Sequence, residues 1–411
     1  MYLLRRLLTQ LVTRGTLTVI DAKGERHVFG SGEPEATIRI HDDATARRIF
    51  WNPTLSVGEA YMDGTLTFED CDLSDFLNLA FLNMGWGYGH WLQNVLAQVR
   101  RMTRRIAQYN PVGRSRDNVA HHYDLSDQLY DLFLDEDRQY SCAYYRDTND
   151  SLETAQEQKK RHLAAKLLLE PGMKVLDIGS GWGGLGIHLA QQADVDVTGI
   201  TLSEEQLKVS NRRAADLGLS DRLRFELRDY REEIGVYDRI VSVGMFEHVG
   251  VGFYQTFFDK VRDLLTPDGI AVVHTIGRAD GPGATNPWLK KYIFPGGYTP
   301  ALSEVSPHIE CARLFTTDVE ILRLHYAETL KEWRRRFRRN WRKIAGIYDE
   351  RFCRMWDFYL AGCEAAFRYG GQVVFQFQMA KQLDAVPMTR DYIGKWEQRS
   401  ADGEAGIVAA Q

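Results

Sequence analysis

The sequence predicts an open, mainly parallel α/β sheet with a small α+β unit ahead of it. Three observations point there. From about residue 150 onward, short apolar runs alternate with amphipathic stretches, the pattern of successive βαβ units. LDIGSGWGG at 176–184 places a glycine-rich turn between the first such run and a helix, where parallel sheets bring backbone close to a ligand. Before residue 85 the runs are short, β-rich and separated by turn residues instead.

Taken in order, residues 1–84 read as the α+β unit. A helical start leads into the β-rich pieces TLTVID and ATIRIHD, with Gly24 and GSGEP as turns, then a helical stretch and the turn MDGTL. Residues 85–118 hold GWGYGHW, a basic helix and NPVGRSRDN, and read as a linker. Residues 119–411 form the larger domain. In it KVLDIG and VDVTGIT are buried strands, and EEQLKVSNRRAADLG is an amphipathic helix closed by Gly218. LRFELRD, YDRIVSVGM and GIAVVHTIG are further strands, with a turn at Thr266–Gly269 before the last. A helical region over about 326–370 precedes a final strand, QVVFQFQMA, at 372–380.

The 411 residues are 44% hydrophobic and 26% charged, ordinary for a globular chain. No apolar run is long enough to cross a bilayer, and the N-terminus lacks a signal peptide's pattern. Five scattered cysteines, Cys71, Cys142, Cys311, Cys353 and Cys363, contain no Cys-x-x-Cys pair. That spacing speaks against a disulfide framework or a metal site and fits a reduced cytoplasm. Net charge is −5, but arginines cluster in WRRRFRRNWRK (333–343), VRRMTRRIAQ (99–108) and the opening MYLLRRLLTQLVTRG. No nucleic-acid reading motif accompanies them. Basic amphipathic stretches of this kind favour peripheral docking on an anionic lipid surface, and hence a cytoplasmic protein at the inner face of a membrane.

Gly179, Gly181 and Gly184 satisfy G-x-G-x-x-G, a pattern that alone permits a dinucleotide. Asp177 argues otherwise: a carboxylate at the strand end repels a pyrophosphate and welcomes a ligand with a sulfonium and an ammonium. The loop therefore looks like the first motif of S-adenosylmethionine-dependent methyltransferases, with Asp177, Gly179, Gly181 and Gly183 as cofactor contacts. In GITLSEEQ, Ser203 and Gln206 make a capping box, which leaves Thr201 and Gln206 open to a ribose contact. Tyr230, after the third strand, either lies against the adenine or is simply exposed. SVGMFEHVG ends an apolar strand in Glu247 and His248, either as a surface turn or as a carboxylate delivered to the ligand edge of the sheet.

Four segments together resemble the cyclopropane-fatty-acyl-phospholipid synthases: HHYDLSDQLYDLFLDEDRQYSCAYY (121–145), LDIGSGWGG, GMFEHVG, and VVHTIG with KYIFPGG (291–297). The resemblance spans roughly 115–395, and the N-terminal unit looks like that of the longer bacterial members. Ser180 departs from the cysteine many members carry. The resemblance implies a seven-stranded Rossmann-like methyltransferase sheet with helical insertions. It implies transfer of a methylene unit from S-adenosylmethionine to the cis double bond of a phospholipid acyl chain in a bilayer, by a homodimer. It further implies a bound bicarbonate held by Cys142, Glu247, His274, Ile276 and Tyr326, with Glu247, His274, Tyr326 and Cys142 catalytic, and Tyr140 and Ser141 near the cofactor. The chemistry suits such groups. An alkene is a weak nucleophile, so its attack needs a dry, preorganised pocket, and the resulting cation needs a held base to remove one proton. The alternatives are methylation without ring closure, amine methylation on the same scaffold, or a lipid-binding protein without activity.

Overall fold

The computed structural model describes residues 1–84 and 126–401. These fall into two compact units. One contains the described N-terminal residues with Gly283–Pro295 and Tyr326–Gln372; the other contains the described residues up to Pro282, Gly296–His325, and the chain from Val373. The basic stretch 99–108, the linker 85–118 and the HHYD segment lie outside the described residues.

The first unit holds a four-stranded sheet of order β2-β1-β3-β4, with β1 Gly15–Ile20, β2 Arg26–Ser31, β3 Glu35–Ile40 and β4 Leu66–Glu69. β1 and β3 match TLTVID and ATIRIHD, and their alternating burial is what period-two patterning gives. They pair in parallel, while β2 and β4 add antiparallel edges. Asp42 caps helix Asp43–Trp51 by accepting the Thr45 N–H, and Pro53 opens helix Pro53–Met62.

This unit reaches beyond residue 84 because its core needs helices from far along the chain. Ala361 and Ala365 of helix Glu350–Tyr369 pack into the cluster of Leu73, Phe76 and Leu77. Arg334 pairs with Asp357 at 2.7 Å and also donates to Ser74, and the Tyr61 hydroxyl donates to the other Asp357 oxygen at 3.0 Å. These bonds change the reading of WRRRFRRNWRK. Trp333 and Phe337 are fully buried, Arg335 and Arg336 both pair with Glu332, and Arg338 pairs with Asp72. The aromatic side of this helix is core. Only Arg339, Arg342 and Lys343 stand exposed there without an ion pair among the described residues.

The second unit is built on a seven-stranded sheet of order β10-β11-β9-β8-β5-β6-β7. Its strands are β5 Lys174–Ile178, β6 Asp196–Thr201, β7 Leu223–Leu227, β8 Tyr237–Val243, β9 Leu265–Arg278, β10 Phe315–Leu322 and β11 Gln372–Ala380. The pairs β5–β6, β6–β7, β5–β8 and β8–β9 are parallel, and β10 runs antiparallel to β11. Successive strand residues enter opposite clusters. Leu176, Ile240 and Val273 pack on one side, and Val175, Val241 and Val272 on the other. Both faces are therefore covered, which explains the unbroken apolar runs. The register sets Asp177 against Val241 and Val243 against His274, so Asp177, Glu247 and His274 come out at one carboxyl edge. No helix among the described residues is long and apolar enough to cross a membrane.

Candidate active site

A pocket in the second unit opens at the carboxyl ends of β5, β6 and β8. Its floor is the glycine loop. Gly179 and Gly181 both have positive φ, +86° and +56°, and a Cβ on Gly179 would come within 2.9 Å of Met245. A side chain there would fill the cradle and strain the turn. Gly184 lines the pocket. Gly183 does not: it packs on Phe225 and Ser210, where an added Cβ would come within 2.7 and 2.8 Å, so its task is helix–sheet packing.

Asp177 lines the pocket at 1% exposure, and its Oδ2 has no hydrogen-bond partner among the described residues. Burial pushes its carboxyl up to about 7, against the pull of the nearby Lys159 charge. A buried oxygen without a partner is costly, and a ligand ammonium would relieve that cost. Thr201 donates to Gln206 Oε1 at 3.0 Å, and Ser203 accepts the Gln206 N–H at 3.3 Å. The cap forms, but the Gln206 side chain turns to Thr201 instead of completing a box, which leaves both residues in the pocket wall. Tyr230 is buried in that wall, edge-on to Phe257 at 5.3 Å, so it is not an exposed tyrosine.

The other wall is the segment 138–141. Lys159, wholly buried, donates to Gln139 Oε1 at 2.6 Å and Ser141 Oγ at 2.9 Å. Burial brings its ammonium down to about 8. Gln156, one helical turn earlier, donates to the carbonyls of Gln139 and Ser141 at 3.1 and 3.0 Å. Helix Leu152–Leu167 thus pins the wall that carries Tyr140 and Ser141. Neither Gln156 nor Lys159 was anticipated. Their i, i+3 spacing in a polar-looking helix was the available signal. His248 also lines the pocket, and burial pushes its pKa down to about 4.

Glu247 and His274 are not in that lining; both are buried at the same sheet edge. Glu247 Oε1 accepts the Ile276 N–H at 2.6 Å, while Oε2 has no partner among the described residues. Burial pushes Glu247 up to about 7. Gly244 N–H donates to the His274 carbonyl at 2.9 Å, which ties the two strand ends together. His274 is 2% exposed, and burial carries its imidazole well below the usual range, so it is neutral. Cys142 is buried, and its thiol is 3.3 Å from the Ala143 carbonyl. Tyr326 belongs to the first unit, where its ring packs against Trp333 and Phe367.

A parallel sheet, a backbone cradle and an open buried carboxylate beside it suit a cationic nucleoside cofactor and define an S-adenosylmethionine-dependent methyltransferase. Comparison with known proteins sharpens this. The model of the mycolic acid cyclopropane synthetase family matches residues 112–377, and the chain belongs to that family. A domain family of unknown function matches residues 3–85. Cyclopropane-fatty-acyl-phospholipid synthase of Escherichia coli (strain K12) is 39% identical over 343 residues, 82% of this chain and 86% of that protein. Tuberculostearic acid methyltransferase UfaA1 of Mycobacterium tuberculosis is 34% identical over 397 residues, 92% of this chain and 90% of the relative. Among solved structures, mycolic acid cyclopropane synthase CmaA1 complexed with SAH and CTAB superposes with a TM-score of 0.61. It is 32% identical and covers 66% of this chain and 99% of its own.

Proposed function

We propose that the protein converts cis double bonds in phospholipid acyl chains into cyclopropane rings. S-adenosylmethionine, when bound, supplies the methyl carbon, and bicarbonate, when bound, supplies a base. Asp177 holds the cofactor's ammonium, the glycine loop lets the backbone approach it, and Thr201, Gln206 and Tyr230 line its nucleoside end. Glu247, itself fixed by the Ile276 N–H, and His274 hold the small anion, with Cys142 on the same unit. Glu247 takes up or returns a proton at Oε2, and the apolar surroundings exclude water from the alkene.

The observation that carries this reading is the Glu247 carboxyl. One oxygen is fixed by a backbone N–H, the other is buried without a partner among the described residues, and the pKa lies at about 7. A group in that state exchanges protons at neutral pH. The test is mass spectrometry of unsaturated phospholipid vesicles incubated with S-adenosylmethionine. Gain of one CH2 with loss of the alkene supports ring closure. The UfaA1 likeness, which spans 92% of the chain, favours a second reading, in which methyl transfer and proton loss leave a branched chain that gains one CH2 but keeps an alkene. No transfer of label to lipid overturns both.

Peripheral attachment to the inner face of a membrane is part of the proposal. Exposed Arg339, Arg342 and Lys343 support it, since each basic side chain near anionic lipid contributes about 1 kcal/mol.

A further inference from the structure

His274 is held from behind by a buried chain of side chains, and that chain determines which ring nitrogen carries its proton. Gln376 on β11 is fully buried, and its Nε2 lies 3.1 Å from His274 Nδ1. Its Oε1 lies 2.9 Å from Lys166 Nζ, also fully buried. The Lys166 ammonium is flanked by Glu320 at 2.5 Å and Asp318 at 3.4 Å. Glu320 in turn meets His162 at 2.7 Å, and Glu397 meets the other nitrogen of His162 at 2.6 Å.

Each link fixes the next. An ammonium only donates, so the Gln376 oxygen must face Lys166. The Gln376 amide nitrogen, which only donates, then faces His274. Nδ1 of His274 must accept that bond, so in the neutral ring the proton is on Nε2. Protonation at Nδ1 would set two donors against each other at 3.1 Å. Nε2 has no hydrogen bond to any described residue.

We propose that Gln376 and Lys166 are positioning residues that lock His274 as its Nε2–H tautomer, so that the ring offers a donor, and never a base, to the small anion beside Glu247. The proposal rests on the bicarbonate reading above and adds what that reading lacks, a reason why this imidazole donates. It also divides labour: with Nδ1 of His274 occupied by the Gln376 amide and Nε2 carrying the proton, proton uptake falls to the anion and Glu247.

The test is nitrogen-15 NMR of the full-length protein labelled at histidine, with the His274 signals assigned by their loss in His274→Gln. The expected spectrum has Nδ1 bare and Nε2 protonated. In Gln376→Glu a carboxylate replaces the amide donor, so the proton should move to Nδ1. In Gln376→Met the lock is simply removed, and a mixture of tautomers should appear. Melting temperature and S-adenosylmethionine affinity by calorimetry check that both variants fold and load. Turnover in Gln376→Glu, titrated with sodium bicarbonate in carbon-dioxide-depleted buffer, should need about tenfold to a hundredfold more bicarbonate, the usual scale for lost positioning bonds. A wild-type His274 protonated on Nδ1, or an unchanged tautomer in both variants, overturns the lock. A flipped tautomer with an unchanged bicarbonate response leaves the lock standing and overturns the bicarbonate reading.

Discussion

Asp177 and Glu247 end neighbouring strands of one sheet and share three properties. Each is buried, each has one carboxyl oxygen without a described partner, and burial pushes each to about 7. Their surroundings differ. Asp177 lines the open pocket beside the Lys159 charge. Glu247 stands outside that lining, with its Oε1 clamped by the Ile276 N–H and its carbonyl accepting from Tyr298 N–H at 2.9 Å. Burial alone gives both the same avidity for a proton. On the proposed function, the open pocket at one and the backbone clamp at the other separate a cation holder from a proton exchanger.

The sharpest way to break this contrast is Glu247→Gln. Turnover should fall by about a hundredfold to ten-thousandfold, the scale of positioned proton transfer, while cofactor affinity measured by calorimetry stays within about twofold. Equal loss of both would erase the distinction. Asp177→Asn should act the other way, weakening S-adenosylmethionine binding by about 1.5–3 kcal/mol, roughly tenfold to a hundredfold in Kd.

Acidity gives a finer separation. Asp177 must ionise to hold an ammonium, so cofactor affinity should rise roughly fivefold to tenfold between about pH 6 and about pH 8. Asp177→Asn should flatten that rise and Glu247→Gln should keep it. The unliganded protein should move in the opposite sense. Both carboxyls hold protons in the folded state up to about 7, whereas the unfolded chain releases them near 4. Stability should therefore decline as pH rises through that window, and each single variant should remove part of the decline in a thermal melt. The smallest effect per residue belongs to Arg339→Glu, Arg342→Glu and Lys343→Glu. Co-sedimentation with anionic vesicles should weaken by about 1 kcal/mol per position, with the pH dependence of cofactor binding unmoved. Unchanged co-sedimentation would remove this face from the docking proposal.

The legible parts of the fold were those with a strong local signal. β5, β6, β8 and β9 are buried on both faces and read as apolar runs, and the glycine loop announced its own turn. β10 was not anticipated, because TTDVEIL is an edge strand whose residues stay partly exposed and so carries no apolar run. β2 and β4 were missed for similar reasons: one is mostly exposed, and the other is four residues long. At the site, residues beside the motifs were visible from sequence. Lys159, Gln156, Lys166 and Gln376 were not, because buried polar side chains are recognised by their partners, and those partners lie up to 210 positions away. The arginine cluster misled in the same way. Asp72, Ser74 and Asp357 neutralise or bind its inward half, and none of them is near it in sequence.

The first unit draws on three stretches of the chain that alternate in sequence with those of the sheet domain, and this has a consequence during synthesis. Its N-terminal strands and helices leave the ribosome first, yet Ala361, Ala365 and the Arg334–Asp357 pair that complete their core arrive last. About 290 residues separate position 84 from Gln372, so at about 5–20 residues per second the early segment waits roughly 15–60 s for its partner. Over that interval its apolar face lacks the helix that covers it, and the larger sheet cannot close either, because β11, which sits between β10 and β9, is made after the first unit's last segment.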